Sequence, residues 1–139
     1  MTKFKKGDRF DFGKRSLSES EIIGFATDFD PLEFHLDKAA AEKSIFGSLV
    51  ASGPQMFMVV HRDNWIPRFK DTVLAGVGIS QWKFLKPIFP NQQIHARVTV
   101  LDLVARPKRK HAAVTWLYEF SDKDGELVQR LEMTILHKL

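Results

Sequence analysis

Residues 53–64 read GPQMFMVVHRDN, and Met56, Phe57, Met58, Val59 and Val60 form an unbroken apolar run within them. A helix that is apolar all round has no face to give to water, so it belongs in the interior. Pro54 after Gly53 suits a helix start, because proline lacks the N–H that a first helical turn leaves unpaired. A helix that begins earlier and kinks at Pro54 fits the same residues. In both cases the rest of the chain must cover it.

The cover is legible downstream, where apolar residues recur with period two. Leu127, Leu131, Met133 and Ile135 fall on one face of a strand from Glu126 to His137, interrupted only by Gln129. Ala112, Val114, Trp116, Tyr118 and Phe120 make a second such face, and Ile94, Ala96, Val98 and Val100 a third. A fourth strand is expected from Val73 to Phe84, with Gly76 and Gly78 on one face and open to a close neighbour. Asp122-Lys123-Asp124-Gly125 is a hairpin turn by composition, Arg106 to Lys110 is a second turn, and a short strand near Arg9 to Phe12 opens the sheet.

Upstream, SESEIIGFAT at 18–27 reads as a short amphipathic helix, with Ser18 and Glu21 spaced as a capping box. Asp37 to Lys43 is a second helical turn. DFDPLEFH between them reads as non-helical, because Pro31 drives Asp30 into an extended conformation. Helices first and strands after give an α+β fold: an antiparallel sheet, apolar on one face, packed on one long buried helix. With no repeat, linker or low-complexity tract, residues 1–139 are expected to form one domain.

Composition narrows the chemistry. There is no cysteine, which removes disulfides, thiolate nucleophiles and cysteine metal sites. Twelve Phe and three Trp against one Tyr point to an interior or pocket lined by rings without hydroxyls. No signal-like N-terminus and no apolar run of about 20 residues is present, so a cytoplasmic protein with no membrane partner is expected. The net charge of +4 is concentrated in Arg106, Lys108, Arg109 and Lys110. Such a loop is a solvated turn, a seat for an anionic small-molecule tail or a nucleic-acid contact. The last is disfavoured, because no aromatic is interleaved to stack on bases.

The histidines at 35, 61, 95, 111 and 137 have no metal-ligand spacing, and phosphate-loop, dinucleotide and nucleophile-elbow motifs are lacking. No metal and no cofactor is expected. What remains is Asp30-Pro31-Leu32-Glu33-Phe34-His35, an acid and a tunable base on a proline-stiffened loop, able to converge on one water. A plain structural hydrogen bond accounts for the same spacing.

ATDFDPLEFHLDKAAAEKSIFGSLVASG at 26–53 resembles the signature of the MaoC-like dehydratases, which include the (R)-specific enoyl-CoA hydratases and have the hot-dog fold. The resemblance lies in Asp30, His35, Asp37, Phe46-Gly47 and Gly53, and again in FLKPIFPNQQIHARVTV at 84–100. The chain departs from the family's Asp-x-Asn-Pro-x-His form. A rival alignment seats Asp28 in the role of Asp30 but puts Glu33 where His belongs. Ser52 stands where members often carry His, and His61 stands near a position where hydratases sometimes carry Ser.

The resemblance implies a hydratase/dehydratase that interconverts a trans-2-enoyl thioester and a 3-hydroxyacyl thioester. Asp30 and His35 would activate the water and the Gly53 N–H would stabilise the thioester oxygen. Phe34 and Ser52 would line the substrate site. Arg106, Lys108 and Arg109, or Lys83 or Lys86, would hold the anionic end of a CoA or acyl carrier. The usual assembly of such folds implies a homodimer. A hot-dog thioesterase and a non-catalytic acyl- or lipid-binding domain are the other readings.

Overall fold

In the computed structural model, which describes residues 4–139, the strands are β1 (Arg9–Arg15), β2 (Val73–Phe84), β3 (Ile94–Arg106), β4 (His111–Ser121) and β5 (Leu127–Lys138). They form one antiparallel sheet in the order β1-β3-β4-β5-β2. The alternation of β3 and β4 sets its inner face: Ile94, Ala96, Val98, Val100, Ala112, Val114, Trp116, Tyr118 and Phe120 are all buried. Each large apolar side chain so buried is worth roughly 1.5–3 kcal/mol of transfer free energy. Trp116 anchors the centre, with Phe4, Phe69, Trp65 and His137 packed around it.

Across this face runs the apolar helix, α4 (Gln55–Val60), continued by a π-helical segment (His61–Trp65), α5 (Ile66–Phe69) and a 3-10 turn (Lys70–Thr72). A five-stranded antiparallel sheet around one long helix is the hot-dog fold. The helical stretch runs on past Asn64, because Trp65 and, four residues later, Phe69 return to the core. The run is also not buried on every side. Met58 is 46% exposed, facing Phe25 and Phe29 of α1 (Glu19–Phe29) across an open apolar pocket.

The capping box of α1 is formed: Glu21 N–H donates to Ser18 Oγ at 3.1 Å and Ser18 N–H to Glu21 Oε1 at 3.1 Å. Residues 28–35 differ from the non-helical reading. Asp28 and Phe29 complete α1, and a single turn, α2 (Glu33–Leu36), follows the break at Asp30-Pro31-Leu32. Proline forbids continuing α1, but nothing forbids a new turn two residues on. Asp37 then caps α3 (Lys38–Glu42) through the Ala39 N–H at 2.9 Å.

The two β2 glycines do not share a face. A register shift between them sets Gly76 opposite Ile135 and Gly78 opposite Thr134, so they point to opposite sides. They do not admit a tight neighbour either, since a Cβ at Gly76 would meet only Ile135 Cδ1 at 3.8 Å. β1 runs past Phe12 to Arg15 through a bulge at Gly13, whose φ of 76° suits glycine.

Candidate active site

Asp30 is the residue at which α1 stops. Its backbone (φ −159°, ψ 65°) leaves the helix, so its carboxylate turns away from the helix axis. Two residues later α2 begins and carries His35 into the interior, where it is 5% exposed. The break and the short turn bring the two side chains together: His35 Nε2 lies 3.3 Å from Asp30 Oδ2. Asp28 lies on the exposed surface of α1, whereas Asp30 is the carboxylate beside His35.

The strand-like stretch Val50-Ala51-Ser52 holds both residues. Its backbone is fixed on one side by Val50 N–H donating to Phe34 O at 3.2 Å, and on the other by Ala51 N–H donating to Ile88 O at 2.9 Å. The Val50 carbonyl accepts from His35 Nδ1 at 2.7 Å. A carbonyl only accepts, so Nδ1 carries a proton, and Nε2 is the ring nitrogen that faces Asp30. The Ser52 hydroxyl donates to Asp30 Oδ2 at 2.6 Å.

Asp30, His35, Ser52 and Gly53 line one cavity of about 450 Å³, walled by Phe46, Pro54, Phe84, Leu85, Pro87 and Ile88. A few polar groups converging in a largely apolar cleft is the usual form of a small-molecule site. Gly53 sits at the mouth of α4. A Cβ there would lie 2.8 Å from the Phe84 ring, so a larger residue would displace the ring from its place over the backbone. Among the described residues the Gly53 N–H has no hydrogen-bond acceptor.

Other expected residues stand elsewhere. Phe34 does not line this cavity; its ring packs behind His35 at 4.5 Å and against Phe46 at 5.3 Å. Glu33 is exposed beside Phe34, away from the cavity. Lys86 is at the cavity rim, paired with Glu126 and Asp122. Lys83 stands opposite Arg130, outside the cavity lining. Arg106, Lys108 and Arg109 lie in the β3–β4 turn, which enters β4 at His111, nine residues from Phe120, the register partner of the cavity-lining Gln129. Nine residues of strand are about 30 Å, so within one chain this loop and the cavity are at opposite ends of the sheet.

Gln129, Phe84 and the Val50 carbonyl were not picked out as site groups from the sequence. Gln129 had a signal, as the polar interruption of an apolar face; the other two had none. Among the described residues no cluster of three or more His, Asp or Glu could hold a metal ion, and no helix is long and apolar enough to cross a membrane.

With this geometry in view, comparison with known proteins places the chain. Residues 3–121 match the family described as MaoC like domain, and the chain belongs to that family. It is 30% identical over 142 residues to the uncharacterised protein YdeM of Bacillus subtilis (strain 168), covering 99% of this chain and 98% of that one. The MaoC-like dehydratase from Rhodospirillum rubrum superposes with a TM-score of 0.84 at 30% identity, over 97% of this chain and 93% of that chain. The (R)-hydratase from A. caviae shares the fold, with a TM-score of 0.74 at 21% identity over 97% of this chain and 98% of that chain.

Proposed function

We propose that the protein adds water across a trans-2-enoyl thioester, and catalyses the reverse dehydration of a 3-hydroxyacyl thioester, using Asp30 and His35. The observation that carries this reading is the 3.3 Å approach of His35 Nε2 to Asp30 Oδ2 on the wall of the cavity that Gly53 also lines. The dehydratase name of the R. rubrum relative agrees with it.

The chemistry follows from the donors and acceptors. With Nδ1–H committed to Val50, neutral His35 accepts one hydrogen of a water at Nε2. Asp30 accepts the other through Oδ1, since Oδ2 is held by Ser52. Both hydrogens are then engaged, and an oxygen lone pair is free to attack the β-carbon. As the C–O bond forms, Asp30 takes the water proton and the alkene electron pair moves onto the thioester oxygen. The Gly53 N–H is the donor for that developing charge. Asp30 then returns the proton to the α-carbon, so one water is added and the enzyme is restored.

The assembly in this reading is a homodimer joined through β2. That strand is at the edge of the sheet and exposes Leu74, Val77 and Ile79, with Phe84 and Leu85 following. A long apolar edge is a template for pairing with another strand. Two copies of one strand related by a two-fold axis normal to the sheet pair antiparallel. This carries the partner's basic turn to the end of the joined sheet where the cavity lies, and so makes it a candidate anchor for the anionic end of CoA or an acyl carrier.

The test is a panel of enoyl-CoA substrates of increasing length, followed by loss of the conjugated thioester absorbance. Turnover with release of the 3-hydroxyacyl product is expected. Release of free thiol instead would identify a thioesterase, and ligand protection without turnover a binding domain.

A further inference from the structure

Gln129 breaks the apolar inner face of β5 between Phe120 of β4 and Phe84 of β2, its register partners. It is 2% exposed, and an amide so buried is costly unless its polar atoms are paired. Both are paired. Nε2 donates to the Gly53 carbonyl at 3.0 Å, and Oε1 accepts the Trp82 indole N–H at 3.0 Å. An indole can only donate, so the amide has one orientation, oxygen toward Trp82 and nitrogen toward Gly53.

Trp82 is delivered by a local irregularity. Ser80 pairs with Glu132 and Lys83 with Arg130, which leaves Gln81 and Trp82 together opposite Leu131. Gln81 has a φ of 52°, a left-handed conformation that a residue with a Cβ adopts only when its surroundings impose it. The bulge turns Trp82 toward the helix side, where its ring meets Phe57 at 5.4 Å and Phe84 at 5.6 Å.

We infer that Gln129, held by Trp82, is a positioning residue that fixes the Gly53 backbone so that its N–H meets the thioester oxygen. The inference rests on the hydratase reading above. Gly53 has the widest backbone freedom of any residue, and Pro54 after it has no N–H to anchor the turn. The peptide before Gly53 is held at the Ser52 carbonyl by the Gln55 N–H at 3.1 Å. The peptide after it is held at the Gly53 carbonyl by Gln129. With both flanking carbonyls clamped, the direction of the intervening N–H is set before substrate arrives. Preorganisation of this kind is what gives an oxyanion donor its effect.

The test compares Gln129→Glu, Gln129→Leu and Trp82→Phe in the full-length protein. Glutamate keeps the shape and the acceptor for Trp82 but has no hydrogen for the Gly53 carbonyl when ionised. Removing an oxyanion donor outright costs about 10²–10³ in kcat, so loosening one is expected to cost about tenfold in Gln129→Glu and Gln129→Leu. Trp82→Phe is expected to cost less, with KM within about twofold in all three. The Gly53 amide resonance in a ¹⁵N-labelled sample should shift or broaden in the Gln129 variants while amides of β3 and β4 stay in place. If the Gln129 variants do not fold, Trp82→Phe carries the same two readouts. Unchanged kcat in an active enzyme, or a Gly53 amide indifferent to the substitutions, overturns the inference. A wild-type protein without hydratase turnover whose Gly53 amide still responds overturns the functional reading and leaves the clamp standing.

Discussion

The Ser52 hydroxyl donates to Oδ2 of Asp30 at 2.6 Å, the same oxygen that faces His35 Nε2. The one hydrogen of Ser52 is therefore committed to holding Asp30, while Ser52 itself lines the cavity. A hydrogen bond to a charged group is worth about 1.5–3 kcal/mol. Ser52→Ala should lower kcat about tenfold with little change in KM, and Ser52→Thr should restore most of it. Steady-state kinetics on one enoyl thioester checks both; a rise in KM alone would make Ser52 a substrate contact.

Asp30→Asn should reduce turnover by about 10²–10⁴, the usual share of a positioned acid/base. His35→Ala should do the same, and the double variant should be hardly worse than either. The two differ in stability. Asp30 is partly exposed, whereas removing buried His35 strands the Val50 carbonyl, at a cost of about 1–3 kcal/mol. Thermal melts alongside the kinetics separate these effects. Asp28→Asn should be silent in both; a large loss of turnover there with an active Asp30→Asn would reverse the assignment.

The β2 edge and the basic turn make one linked prediction. Light scattering should show a dimer at micromolar concentration, and Val77→Lys or Ile79→Lys should dissociate it by burying charge in the joined edge. In the dimer, changing Arg106, Lys108, Arg109 and Lys110 together to Gln should raise KM for CoA thioesters and flatten its salt dependence. kcat should be unaffected, because the loop is far from the reacting carbons. A pantetheine thioester lacking the nucleotide should be indifferent. Equal response of both substrates would leave the turn as solvated surface.

Stability should fall with acid through His137. Its Nε2 accepts the Trp116 indole N–H at 3.1 Å, so the buried ring is neutral, with Nδ1–H directed to Thr72 Oγ1 at 2.9 Å. Burial pushes its pKa down from 6.5 to about 4. Between those values the unfolded chain binds more protons than the folded one, so the stabilisation is complete above about pH 6.5 and is lost as pH falls toward about 4. His61, lowered by burial as well, acts in the same direction. Melting temperatures across that range should decline in the wild type and decline less steeply in His137→Gln. Identical slopes would remove His137 as the cause.

Much of this molecule was determined by the sequence itself. Periodicity places residues on faces wherever neighbours along the chain decide the outcome. The alternation in β3, β4 and, from Leu131 onward, β5 specified which side chains are inside, the capping box started α1, and the apolar run at 56–60 marked the central helix. The pair Asp30 and His35 was legible because the proline break and the family motif are local. Tertiary structure decided the rest, since those features depend on residues far apart in sequence. No local pattern sends Ser52 to Asp30 across 22 positions or Gln129 to Gly53 across 76. The register shifts in β2 that part Gly76 from Gly78 and turn Trp82 inward are set by pairing with β5. The length of β4 alone separates the basic turn from the cavity, because a strand rises by a fixed distance per residue while sequence proximity says nothing of which end of a sheet a loop will occupy.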